Sequence, residues 1–82
     1  MRKKILFFGS PSCGPCRQAK SLMTEEFLNE NNIDLTYFDA TKDFEQFVKY
    51  EIQSVPTFVV LEDNVVSNKK IGFKSLNEIK EL

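Results

Sequence analysis

Cys13 and Cys16 are the only thiols in the chain, and two residues separate them in Ser12-Cys13-Gly14-Pro15-Cys16. On a first helical turn such a pair has Cβ atoms roughly 5–6 Å apart, so a disulfide can open and close with little rearrangement around it. Gly14 tolerates a tight local backbone. Pro15 suits an early helical position, where its missing N–H would have no partner anyway. The pair lies between an apolar run, Ile5-Leu6-Phe7-Phe8, and a stretch from Arg17 to about Glu30 with helical character. At a strand-to-helix junction the first turn offers unpaired N–H groups and a positive dipole end, which stabilise a thiolate. The chemistry implied is dithiol–disulfide exchange. Cys13, nearer the loop, is the expected attacking thiolate, and Cys16, one turn in and facing the sheet, the thiol that resolves the mixed disulfide. Arg17 offers a positive charge nearby, or is a solvated helix residue.

Other readings of the pair stay open at this level. A structural disulfide is one, although the chain-entropy benefit grows with loop length and this loop is very short. A zinc site is another, but four ligands are the norm, and the chain has no histidine and no further cysteine, so a dimer or carboxylates would have to complete it. An inert pair of buried thiols is the third; the intervening Gly-Pro argues against it.

The elements that must hold the pair alternate between strand and helix. Ile5 to Phe8 reads as a strand covered on both faces. Ala19, Leu22, Met23 and Phe27 recur at helical steps in one amphipathic helix, and Asn31-Asn32 is its stop. Ile33 to Phe38 reads as a second strand. Thr41 is the expected N-cap of a helix carrying Phe44, Phe47, Val48 and Ile52. Thr57 to Leu61 is the strongest strand signal, and Glu62-Asp63-Asn64 turns it. Val65-Val66 and Lys70-Ile71 form a ragged fourth strand, and Ser75 caps a last helix with Leu76, Ile79 and Leu82. The order β-α-β-α-β-β-α predicts an α/β fold over a single domain, residues 1–82, with a four-stranded mixed sheet and helices on both faces.

Composition narrows the function classes. The chain has 82 residues, 41% hydrophobic and 28% charged, with eight phenylalanines and no tryptophan. Its net charge of −1 gives no electrostatic reason to expect a nucleic-acid partner. Arg2-Lys3-Lys4 followed by a four-residue apolar run is too short for a secretion signal, whose apolar region spans about 7–15 residues, and nothing reaches transmembrane length. The expectation is a cytoplasmic protein without membrane partners, in a compartment that keeps dithiols reduced between reactions.

Ser54-Val55-Pro56-Thr57, directly before the strongest strand, adds a second signal. Together with Cys13-Gly14-Pro15-Cys16 and Gly72 near the end of the last strand, it makes the chain resemble the thioredoxin-like family, at glutaredoxin size. The resemblance covers essentially the whole chain. It implies a minimal thioredoxin fold, a cis peptide at Val55–Pro56 beside the cysteines, and a substrate-binding surface of Ser12, Val55 and Pro56, with the Val55 backbone pairing with an extended substrate segment. It also implies a protein-disulfide reductase that binds no cofactor or metal and carries electrons in the Cys13–Cys16 disulfide. Its implied partners are disulfide-containing proteins and a flavoprotein thioredoxin reductase, and nothing requires more than a monomer.

Departures from the family are equally specific. The chain begins at what would be the second strand of a full-length thioredoxin. Ser12 replaces a tryptophan, Phe7 a buried aspartate, Leu35 a buried lysine and Ser21 a helix-kinking proline, so exchange is expected to be slower or differently tuned. A glutaredoxin-like, glutathione-coupled activity is the alternative, but Gly72-Phe73-Lys74-Ser75 has one glycine and no carboxylate before Glu78. A non-catalytic binding module of the same fold is the alternative from another class.

Overall fold

The computed structural model describes residues 2–82. Its sheet is built from β1 (Lys3–Gly9), β2 (Ile33–Asp39), β3 (Thr57–Glu62) and β4 (Val65–Ile71), in the order β2-β1-β3-β4. β1 and β2 are parallel, and β3 is antiparallel to both β1 and β4. The helices are α1 (Gly14–Leu22), α2 (Glu25–Glu30), α3 (Phe44–Lys49) and α4 (Leu76–Lys80). The mixed sheet and the expected order are therefore present, with the first helical stretch divided in two.

Strand periodicity of two sorts the core into two layers. On one face Ile5, Phe7, Phe58 and Val60 meet Cys16 and Ala19 of α1, Phe27 of α2 and Ile79 of α4. On the other, Leu6, Phe8, Val59 and Leu61 meet Phe47 and the chain around Tyr50 and Ile52. The larger cluster thus lies under the cysteine helix, and the smaller one is largely aromatic, with the Phe8 and Phe47 rings edge-on at 5.0 Å.

The single helix expected to about Glu30 breaks at Met23, whose ψ of 67° leaves the helical region. Thr24 then caps α2 by accepting the Phe27 N–H at 3.2 Å. Met23 and Phe27 are both buried in the same cluster, so the apolar period runs straight through the break and hides it. Asn32, with φ 54°, ends α2 where the stop was expected.

Thr41 does not cap α3. Its N–H and hydroxyl both donate to Asp39 Oδ1, at 2.8 and 2.6 Å, and the N-cap position falls to Asp43. Ile52 lies beyond that helix rather than in it. Glu51 adopts φ 54°, and the Ile52 N–H reaches back to the Phe47 carbonyl at 2.9 Å, closing the helix in a left-handed cap. Phe44 and Val48 are 70% and 60% exposed, so of the apolar residues within α3 Phe47 alone packs on the sheet.

The last two strands form a hairpin through Asp63 and Asn64, both at positive φ (52° and 65°), the conformation that matches the twist of paired strands. β4 spans Val65–Ile71 without a gap, and its raggedness is confined to a register shift opposite Val60 and Leu61. Lys69 and Lys70 lie on this edge strand, a charge pattern that discourages pairing with another chain. Ser75 occupies the N-cap of α4 without a side-chain bond; the Glu78 carboxylate instead accepts the Lys74 N–H at 3.0 Å. Among the described residues no helix is long and apolar enough to cross a membrane.

Candidate active site

The loop from Ser10 to Ser12 carries the chain from the end of β1 into α1, and Cys13 is the N-cap of that helix. Its Sγ accepts the Cys16 N–H at 3.2 Å, taking the place of the hydroxyl or carboxylate oxygen usual at a helix start. An N–H aimed at sulfur favours the anionic form of a thiol there. Cys13 and Cys16 are joined as a disulfide with Cα atoms 5.2 Å apart. Cys13 is half-buried, whereas Cys16 is only 2% exposed and belongs to the larger core cluster.

Gly14 and Pro15 are exposed in the first turn of α1, with Pro15 where no N–H is missed. Ser12 is exposed, its Oγ 3.1 Å from that of Ser10. Arg17 donates to the Pro11 carbonyl at 2.9 Å, so its guanidinium braces the loop.

The Val55–Pro56 peptide bond is cis. β1 and β3 pair Phe8 with Thr57, which brings Pro56 and Val55 to the sheet end from which the cysteine loop departs. Val55 and Cys13 are half-buried against the same cluster, and Pro56 is buried. Thr57, the one buried polar residue in the described core, donates its hydroxyl to the Ser54 carbonyl at 2.7 Å and ties down the segment before β3. The expected site residues thus converge from the β1–α1 junction and the start of β3.

Phe7 is fully buried, with the rings of Phe58 at 4.7 Å and Tyr37 at 5.1 Å, and Leu35 packs against the same cluster. The sheet beneath Cys16 is therefore apolar at both positions. Polar groups reach Cys16 from another side. A cleft of about 240 Å³ is lined by Cys16, Arg17, Lys20, Tyr37 and Asp39 with the Ser10-Pro11 loop.

Lys20 places its ammonium 4.2 Å from the centre of the Tyr37 ring, a cation–π arrangement. Burial, followed by the charges of Asp39 and Asp43, pushes the Tyr37 phenol above its ordinary value. Hydrogen bonds from the Thr41 hydroxyl and N–H hold the Asp39 carboxyl below its ordinary value. Tyr37 fits because Gly9 has no side chain: a Cβ there would lie 3.0 Å from Tyr37 Cε1 and 3.3 Å from Cys16 Cβ.

Reading the sequence missed Gly9, Lys20, Tyr37 and Asp39. A usable signal existed for Lys20, which follows Cys16 by four residues and so shares its helix face. None existed for Tyr37 and Gly9, which meet through the pairing of β1 with β2. At the far helix, the Glu78 carboxylate is bonded to the Lys74 N–H and lies 3.6 Å from the Lys70 ammonium. Local contacts therefore occupy the first acidic group available there. Among the described residues no group of three or more histidines, cysteines or carboxylates is arranged to hold a metal ion.

Comparison with known proteins agrees with this geometry. The model of the thioredoxin domain matches residues 1–82. A thioredoxin of Mycoplasmoides gallisepticum is 31% identical over 81 residues, covering 99% of this chain and 81% of that protein. A thioredoxin of Bacillus subtilis is 32% identical over 77 residues, covering 92% and 73%. The X-ray structure of Fasciola hepatica thioredoxin superposes with a TM-score of 0.85 at 25% identity, over 98% of this chain and 76% of that one. With its disulfide at the head of α1 and a domain match along its whole length, the chain belongs to the thioredoxin domain family and is a thiol–disulfide oxidoreductase.

Proposed function

We propose that residues 1–82 act as a single-domain protein-disulfide reductase in which Cys13 is the nucleophile and Cys16 the resolving thiol. The observation that carries this division of labour is the asymmetry of the pair. Cys13 is half-buried at a helix N-cap with an N–H on its sulfur, while Cys16 is 2% exposed. The Cys13 thiolate attacks one sulfur of a substrate disulfide, forming a mixed disulfide and releasing the other sulfur as a thiolate. Cys16 then loses its proton and attacks Cys13 Sγ, forming the Cys13–Cys16 bond and releasing the second substrate thiolate. Two electrons pass to the substrate, and both released thiolates take protons from solvent.

Ser12, Val55 and Pro56 form the substrate-contacting rim in this reading, with the Val55 backbone as the pairing edge for an extended segment. Gly14 and Pro15 shape the turn between the sulfurs. Electrons return from a flavoprotein thioredoxin reductase, the chain needs no bound cofactor, and it works as a monomer in the cytoplasm. Single replacements test the assignment with insulin as the disulfide substrate. Cys16→Ser accumulates a covalent adduct that dithiothreitol releases, and Cys13→Ser accumulates none. An adduct on Cys13→Ser instead would reverse the roles.

A further inference from the structure

The resolving step demands a thiolate at the less favourable of the two sulfurs. Cys16 is 2% exposed, and burial among apolar groups disfavours the charged form of a thiol. β1, β3 and α4 present Ile5, Phe7, Phe58 and Ile79 to its cluster, none of them ionisable. Among the described residues, the charged and titratable groups lining the cleft that reaches Cys16 are Arg17 and Lys20 on α1 and Tyr37 and Asp39 on β2. Cys13 at the N-cap of α1 is the other titratable neighbour once the pair is reduced. Arg17 is engaged with the Pro11 carbonyl, and Asp39 Oδ1 with Thr41. Asp39 opposes a second anion in the cleft.

We propose that Lys20 and Tyr37 are positioning residues that make the Cys16 thiol acidic enough to resolve the mixed disulfide. Lys20 stands one turn after Cys16 on the same face, and its ammonium is held over the Tyr37 ring at 4.2 Å. Tyr37 Oη and Cys16 Cβ lie 3.2 and 3.3 Å from a single point, the place a Gly9 Cβ would take. A cation and a phenol O–H therefore line the same cleft as Cys16. The phenol keeps its proton at neutral pH, as its raised titration requires, and so remains a donor. The proton leaving Cys16 passes to water in the cleft. The electron pair left on Cys16 forms the new bond to Cys13 as the Cys13–substrate bond breaks.

The inference rests on Cys16 being the resolving thiol, which the trapping experiment above decides independently. Its own test is an NMR titration of the two cysteine Cβ signals in the fully reduced, 13C-cysteine-labelled chain. Lys20→Met moves the Cys16 curve up by about one pH unit, and the difference shrinks in high salt. Lys20→Arg restores the wild-type curve. Tyr37→Phe, which keeps the ring, also moves the curve up, and Lys69→Met on the distant edge strand leaves it in place. Below the thiol pKa, a tenfold loss of thiolate partly offset by higher nucleophilicity slows the resolving step roughly threefold in Lys20→Met. A Cys16 curve in Lys20→Met or in Tyr37→Phe that superimposes on the wild type, or a shift that Lys69→Met reproduces, overturns the proposal. A trapped adduct on Cys13→Ser would bring down the role assignment instead, whatever the titration shows.

Discussion

Replacing Gly9 with alanine puts the packing around the disulfide under a direct test. The backbone of Gly9 is ordinary strand, so alanine meets no conformational strain of its own. On that count alone the substitution would stabilise by about 0.4–1 kcal/mol, because alanine has less freedom to lose on folding. The added methyl, however, would stand 3.0 Å from Tyr37 Cε1, 3.2 Å from its hydroxyl and 3.3 Å from Cys16 Cβ. Each distance is short of comfortable carbon or oxygen contact, and overpacking of this kind costs about 1–3 kcal/mol. The ring has little room to retreat, since the Phe7 ring stands edge-on to it at 5.1 Å and Lys20 lies 4.2 Å from its centre. The net expectation is a loss of about 1 kcal/mol, or a fall in Tm of roughly 4–8 °C for a domain of this size. Thermal and urea unfolding of the oxidised protein would measure it. Tyr37→Val supplies the control, because without the ring the same Gly9→Ala change becomes close to neutral. Undiminished destabilisation in the Tyr37→Val background, or a Gly9→Ala protein as stable as the parent, would refute the reasoning.

Phe47→Ala removes the ring packed on Phe8 and lowers unfolding stability by about 2–3 kcal/mol, whereas Phe44→Ala, at a position 70% exposed, changes it by less than about 0.5 kcal/mol in the same urea titration. Thr24→Ala deletes the hydroxyl that accepts the Phe27 N–H and costs about 1 kcal/mol by the same measurement, with hydrogen exchange rising first in α2. The Tyr37 phenol is held above its ordinary 10.0, so its neutral form supports the fold. That contribution is complete below the unfolded value and is lost as pH rises through the folded one. Alkaline unfolding of Tyr37→Phe should lack this component, and identical profiles for the two proteins would contradict it.

Much of the site was legible because it is written in local spacing. Two thiols one turn apart, with a glycine and a proline between them, carry their chemistry wherever an apolar run precedes them and a helix follows. Thr57 to Leu61 announced a buried strand by β-branched and aromatic residues alone. The less legible features are those where one local signal competes with another. Met23 and Phe27 continue the helical period across a break that depends on the Thr24 hydroxyl. Thr41 has the chemistry of a cap but spends its donors on Asp39. Phe44 and Val48 follow the pattern of a core face yet point to water, because α3 is one short helix meeting the sheet mainly through Phe47. The cleft beside Cys16 could not be read beyond Lys20, one turn after the cysteine on its helix. It exists because β1 and β2 are in the register that pairs Phe7 with Tyr37 and Gly9 with Asp39, a relation between residues far apart in the chain.

The two ends of the sheet also differ in what they carry. β1 runs from Lys3 to Gly9, so the cysteine loop leaves at its C-terminal end, where Thr57 begins β3. The Asp63-Asn64 turn lies at the opposite end, beyond the pairing of Lys4 with Leu61. A strand of seven residues separates the two by roughly 20 Å. Anything attached at that turn, whether a fluorophore, a surface linker or an inserted peptide, stands clear of an incoming disulfide. The protein can be immobilised by that hairpin with its sulfurs facing outward, which makes the turn the natural handle for electrode or single-molecule work.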